Sequence, residues 1–193
     1  MGTTYTYQRP PAPPTDRDVT PEELYFNQQW GRCELVDGKV ILMSPAGHYH
    51  GEVGATLLIL IGTYVRKKKL GKVYDGQTGF VYPNGKTVRA PDVMFLSKAR
   101  IPRNLNRAGY LPVSPDFAIE VLSPEDSFAE VSAKAESYLA VGVKLVWVVL
   151  PDTQKVHVYR PGTSPEIFHA DATLTGESVL PGFKLRISDV FEY

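Results

Sequence analysis

The chain has 193 residues, with 21 Lys and Arg against 21 Asp and Glu, so its formal net charge is zero. Apolar residues make up 43% and charged residues 22%, the balance of a folded globular chain long enough to bury one sizeable core. This excludes a strongly basic polymer-binding tail and an acidic solvating protein; a case for a polyanionic partner has to rest on local arrangement. A single cysteine, Cys33, rules out an intrachain disulfide and fits a reducing, cytoplasmic setting. The strongest apolar run, 57–61, is far short of the roughly 20 residues needed to cross a bilayer, so a soluble protein without a membrane partner is expected.

Residues 1–19 carry Pro10, Pro11, Pro13 and Pro14 and few apolar groups, which predicts an extended, flexible arm ahead of a single domain over 20–193. Thr20-Pro21-Glu22-Glu23 reads as a capping box that starts a short helix ending near Gly31. Asp37-Gly38 between apolar runs predicts a β-hairpin over 33–43, because both turn positions favour positive φ. From about His50 to Lys69 the spacing of Val53, Leu57, Leu60, Ile61 and Tyr64 is helical. Arg66 to Lys69 suit the negative end of that helix, and Gly71 is read as its stop. Strands are expected at 72–74, at 79–82, and at Val88 with 92–96. A long Pro/Gly/Asn-containing stretch at 97–115 follows, then a strand over 116–122 and a helix over 123–141. An apolar strand at 144–150, buried on both faces, and a half-buried one at 155–160 come next. The last thirty residues read as turn-rich.

Glu120 is the most informative residue. It stands in Asp116-Phe117-Ala118-Ile119-Glu120-Val121-Leu122, a strand apolar enough for a core, where an unpaired carboxylate is costly. It must be paired, protonated, metal-bound or at a cleft. Strand periodicity puts it on one face with Ala118 and Leu122. Ser123-Pro124-Glu125-Asp126 reads as a second capping-box start. In the helix behind it Phe128, Val131, Ala135, Tyr138 and Leu139 form the apolar stripe. Lys134 sits on the border of that stripe, placed either to reach solvent or to lean back over the strand ends towards Glu120. Asp92 follows Pro91 and opens the apolar run Val93 to Leu96, and Glu34 opens the hairpin.

Pro91-Asp92-Val93, then Pro115 to Pro124, then Lys134, Tyr138 and Gly142-Val143 resemble the Uma-type restriction endonuclease family, within the PD-(D/E)XK nuclease superfamily. Glu34-Leu35-Val36-Asp37-Gly38, Met43-Ser44-Pro45 and His50 resemble its opening. The resemblance covers about residues 20–190. It implies a restriction-endonuclease-like α/β fold and a metal-dependent phosphodiesterase acting on DNA. Asp92 and Glu120 would ligate Mg²⁺ or Mn²⁺, helped by the Val121 carbonyl, and Lys134 would position the attacking water or neutralise the transition state. Glu34 and His50 match positions near the same pocket, as an extra ligand or water orienter and a phosphate contact. One departure stands out. The superfamily places its lysine two residues after the acidic residue, where this chain has Leu122; Lys134 on the following helix is the matching cation. A second departure, Leu150-Pro151-Asp152 in place of an Asp-Pro order, is a turn variation.

The stretch 97–115 joins the strands of Asp92 and Glu120 and holds Lys98, Arg100, Arg103 and Arg107 without an acid, an arrangement suited to phosphate contacts. The architecture expected is a mixed central sheet flanked by helices near 50–69 and 124–141, with an N-terminal β-hairpin. Cutting both strands needs two sites, which suggests a symmetric homodimer. Two alternatives stay open: a catalytically inactive nuclease-fold module binding nucleic acid or a protein partner, and a metallohydrolase of small phosphorylated ligands.

Overall fold

The computed structural model of the protein describes residues 12–191. Residues 1–11 of the Pro-rich arm lie outside the described residues. Its last part ends on Val19, which is buried and donates its N–H to the Gly38 carbonyl, while Asp18 pairs with Lys39 and Lys86.

The capping box forms. The Thr20 side chain accepts the Glu23 N–H, and the Glu23 carboxylate accepts the Thr20 N–H, which starts α1 (Pro21–Phe26). A 3₁₀ turn at Gln28–Trp30 follows, and Gly31 at φ +80° turns the chain away. The hairpin β1 (Cys33–Val36) and β2 (Lys39–Leu42) closes through Asp37 at φ +47° and Gly38 at φ +81°, the pair of positive angles that a tight hairpin turn demands. After α2 (His48–Lys68) come β3 (Gly71–Asp75), β4 (Phe80–Val81), β5 (Val88–Arg89), β6 (Val93–Ser97), β7 (Phe117–Val121) and α3 (Phe128–Ala140). Strands β8 (Leu145–Leu150), β9 (Lys155–Tyr159), β10 (Glu166–Phe168), β11 (Thr173–Gly176) and β12 (Leu180–Arg186) complete the chain.

A mixed six-stranded sheet of order β10-β9-β8-β7-β6-β3 forms the centre, with β7 and β8 parallel and the other pairs antiparallel. The single parallel pair is the one joined by a helical crossover, α3, as parallel neighbours require. Alternation along the strands separates two cores. On one face Val53, Leu57, Ile61 and Val65 of α2 pack on Phe95, Phe117, Ile119 and Trp147, closed off by Leu174, Phe183 and Leu185 of the C-terminal hairpin. On the other face Val131, Ala135 and Tyr138 of α3 pack on Met94, Ala118, Val146 and Val148. Glu120, two residues after Ala118, falls on the α3 face by the same parity.

The hairpin forms and is extended, since β1 also pairs with β5, and β5 with β4, giving a second sheet of order β2-β1-β5-β4. Two local expectations need correction. The helix read over 123–141 begins only at Phe128. Ser123 to Asp126 make a separate turn in which the Asp126 carboxylate accepts the Ser123 N–H, so the box-like sequence is satisfied one turn too early. Helix α2 is terminated by Lys69 in the left-handed region at φ +56°, not by Gly71. Gly71 serves close approach instead, since a Cβ there would collide with the Leu96 carbonyl.

Asp116 anchors the start of β7. It is buried and accepts from the Ser97 N–H at 2.9 Å and Lys144 Nζ at 2.8 Å, and it forms an ion pair with Arg100 at 3.1 Å. Burial pushes its carboxyl up, but Lys144, Ser97 and Arg100 outweigh this and hold it below the usual range. A carboxylate depressed in the folded state adds stability above its unfolded pKa, and that stability is lost as pH falls through the folded value. Asp116→Asn is therefore expected to cost about 2–3 kcal/mol at neutral pH and to flatten the acid limb of a stability–pH curve from urea titrations. An unchanged midpoint at pH 7 contradicts this.

Candidate active site

The ends of β6 and β7 supply the centre of the site. The antiparallel register pairs Val93 with Ile119, so one step further Asp92 stands opposite Glu120, and opposite residues in such a ladder share a face. Asp92 is fixed through one oxygen. Its Oδ2 accepts the Val121 N–H at 2.8 Å and lies 3.1 Å from His50 Nε2 in the first turn of α2. Its Oδ1 faces Arg32 at 3.8 Å. The hydrogen bond to Asp92 raises the His50 pKa against the effect of burial, which favours the protonated, donating ring.

Helix α3 supplies the cation. Lys134 Nζ reaches Glu120 at 3.2 Å and Glu34 of β1 at 3.1 Å. Glu34 is further held by Arg89 at 2.6 Å and by the Ala90 N–H at 2.9 Å. Tyr138, one helical turn after Lys134, donates its hydroxyl to Glu120 Oε1. The i, i+4 spacing puts both side chains on one stripe of the helix, and this is how a residue bordering the apolar face reaches a strand carboxylate.

The two glutamates differ in charge balance. Burial pushes Glu34 up, but Lys134, Arg89 and the Ala90 N–H together hold it below the ordinary carboxylate range. Glu120 goes the other way: burial, with Asp92 and Glu34 adding repulsion, outweighs Lys134 and lifts it to about 7. For Lys134, burial is likewise opposed, and Glu120 and Glu34 keep it charged above its usual pKa.

A divalent cation suits this deficit. Among the described residues no group of three or more His, Cys, Asp or Glu side chains is arranged to hold a metal ion, which is a poor match to zinc. Two facing carboxylates with backbone oxygen and water fit a hard cation such as Mg²⁺, which keeps several waters.

Glu34, His50, Asp92, Glu120 and Lys134 thus come together in one cluster. The basic stretch divides. Arg100 is committed to Asp116 and Lys98 is exposed in the 3₁₀ turn Lys98–Arg100. Arg103 and Arg107 line a cleft of about 1030 Å³, bounded also by α1, β1 and β3, that reaches the cluster at Arg32 and Glu34. Sequence reasoning missed Arg32 and Arg89. Both adjoin acidic motifs, Arg32 two residues before Glu34 and Arg89 three before Asp92, but only the second sheet brings them inward.

Comparison with curated proteins finds no match. Among solved structures, the chain is similar to a "putative nuclease belonging to DUF820 from Anabaena variabilis ATCC 29413", with TM-score 0.78 and 26% identity, over 90% of this chain and 97% of that one. Residues 20–188 match the family model described as "Putative restriction endonuclease". With its mixed sheet and its carboxylate pair at the ends of β6 and β7, the chain belongs to the Uma2 family of restriction-endonuclease-like proteins.

Proposed function

We propose that the protein is a divalent-metal-dependent DNA endonuclease. What supports this reading is one arrangement: Asp92 opposite Glu120 across β6 and β7, with Lys134 bridging Glu120 and Glu34. Asp92 Oδ1 and Glu120 would hold Mg²⁺ or Mn²⁺ with the Val121 carbonyl. The ion supplies Lewis acidity towards the phosphate and makes water a better nucleophile. Lys134 stays an ammonium, so it is no general base; it donates to the attacking water and offsets the charge that grows on phosphorus oxygens. Val121 and His50 fix the Asp92 rotamer. Arg89 and Lys134 keep Glu34 ionised, and Glu34 in turn orients Lys134. Water adds to phosphorus as the P–O bond to the leaving strand breaks; the proton that water loses passes to bulk solvent, which protonates the departing oxygen. A homodimer would place two such sites against the two strands of a duplex.

Purified protein is expected to nick supercoiled plasmid with Mg²⁺ or Mn²⁺ and to stop in EDTA. Asp92→Ala should lower the rate by about 100-fold or more. Cleavage that survives Asp92→Ala sinks the assignment. Metal binding without cleavage favours the inactive nuclease-fold module.

A further inference from the structure

The cleft beside the carboxylate cluster has a composition that the metal site does not use. Its wall carries Arg32, Lys72, Arg103 and Arg107 against a single acid, Glu34, and that acid is already neutralised by Arg89 and Lys134. In a chain of zero net charge, this is a local positive concentration facing one hollow. Aromatic rings share the wall. Tyr25 contacts Phe26 edge-on at 5.4 Å and Tyr110 edge-on at 5.5 Å, so three rings link α1 to the loop that carries Arg103 and Arg107. Phe26 is 69% exposed although Tyr25 touches it edge-on, an unusual cost for a phenyl ring. Tyr74, on the same wall, has a buried hydroxyl with no hydrogen-bond partner among the described residues.

Basic side chains around a groove with open aromatic faces are the equipment for an unpaired nucleic-acid strand. Paired bases have both faces covered by their neighbours and cannot stack on protein rings. We propose that this cleft binds single-stranded DNA, with phosphates on Arg32, Arg103 and Arg107 and a base stacked on the exposed ring of Phe26, which Tyr25 and Tyr110 brace. The identity of the occupant rests on the nuclease reading. The path is continuous, because Arg32 lines the cleft and stands 3.8 Å from Asp92 Oδ1. A strand held there arrives at the carboxylate pair as a frayed, looped or overhanging segment.

The test is fluorescence anisotropy of the full chain in EDTA, with labelled oligo(dT), a blunt duplex of equal length, and oligo(rU). Oligo(dT) is expected to bind about tenfold tighter than the duplex, and tighter than oligo(rU). Phe26→Ala should weaken oligo(dT) binding about tenfold, the loss of one stacked base, with an unchanged unfolding midpoint because the ring is exposed. The double variant Arg103→Ala, Arg107→Ala should make the log K against log salt slope shallower by about 1.4. Equal or tighter duplex binding, preference for oligo(rU), or full affinity in Phe26→Ala overturns the inference. Plasmid cleavage together with equal duplex affinity leaves the nuclease reading standing without this site. Selective strand binding by a protein that never cuts leaves the site and removes the nuclease reading.

Discussion

Glu120→Gln is expected to abolish metal-dependent cleavage while leaving the metal-free protein as stable as the parent, or more stable, at pH 8. Glu120 is buried and its carboxyl is lifted to about 7. A carboxylic acid raised in the folded state binds its proton more tightly there than in the unfolded chain, so stability falls as pH rises from its unfolded value through about 7. Above that window the ionised side chain works against folding by on the order of 3 kcal/mol at most. Gln cannot ionise, still offers Tyr138 an acceptor, and leaves Lys134 paired with Glu34. The gain in unfolding free energy should lie between zero and about 3 kcal/mol, because the lost ion pair with Lys134 offsets part of it. Urea titrations in EDTA at pH 5 and pH 8 decide the matter. The parent should weaken more between the two than Glu120→Gln, which keeps only the smaller loss from the His50–Asp92 pair. A variant clearly less stable than the parent at pH 8 refutes the view that Lys134 leaves the charge of Glu120 under-compensated.

This explains why Glu120 was legible in the sequence while its surroundings were not. A charge inside Phe117-Ala118-Ile119-Glu120-Val121 violates the rule that cores are apolar, and violations of local rules concentrate at functional sites. Asp92 and Lys134 were legible for related reasons, one at the head of an apolar strand and the other at the edge of a helix stripe. Arg89 and Arg32 looked like ordinary strand and loop cations. Their role depends on the β1–β5 pairing at Leu35 and Val88, a contact between segments more than fifty residues apart that no spacing rule encodes. The capping box at Ser123 misled for a different reason. Half of it forms, the Asp126 carboxylate accepting the Ser123 N–H, while the Asp126 N–H bonds the Ser123 carbonyl in place of its side chain; a local motif constrains only its own turn, and the helix starts again from Ser127. The basic stretch was read as one surface because sequence shows charge and not partners. Asp116, one residue past its end, removes Arg100 from it.

Lys134→Met should give the opposite signature to Glu120→Gln. Lys134 is 15% exposed at its side chain and is the one cation within 3.2 Å of both Glu34 and Glu120 among the described residues. Its loss leaves Glu120 with only Tyr138 and places two buried carboxylates near each other without their shared counter-charge. In EDTA at pH 8 this should destabilise the protein by about 3–5 kcal/mol. A cation bound between Asp92 and Glu120 restores part of the missing charge, and at 100 times its dissociation constant a ligand adds about 2.7 kcal/mol. Mg²⁺ should therefore raise the unfolding midpoint of Lys134→Met, while cleavage stays down by about 100-fold or more because the transition state still lacks its ammonium. Stability returns with the metal and activity does not, and a purely structural lysine cannot produce that split. Combining the two changes sharpens the point. With Glu120→Gln already present, Lys134→Met removes a cation from one carboxylate instead of two, so the double variant should be more stable than the sum of the single effects by about 1–3 kcal/mol. Strict additivity, or a Lys134→Met protein that cuts at the parental rate, removes Lys134 from the machinery and returns the search for the catalytic cation to Arg32.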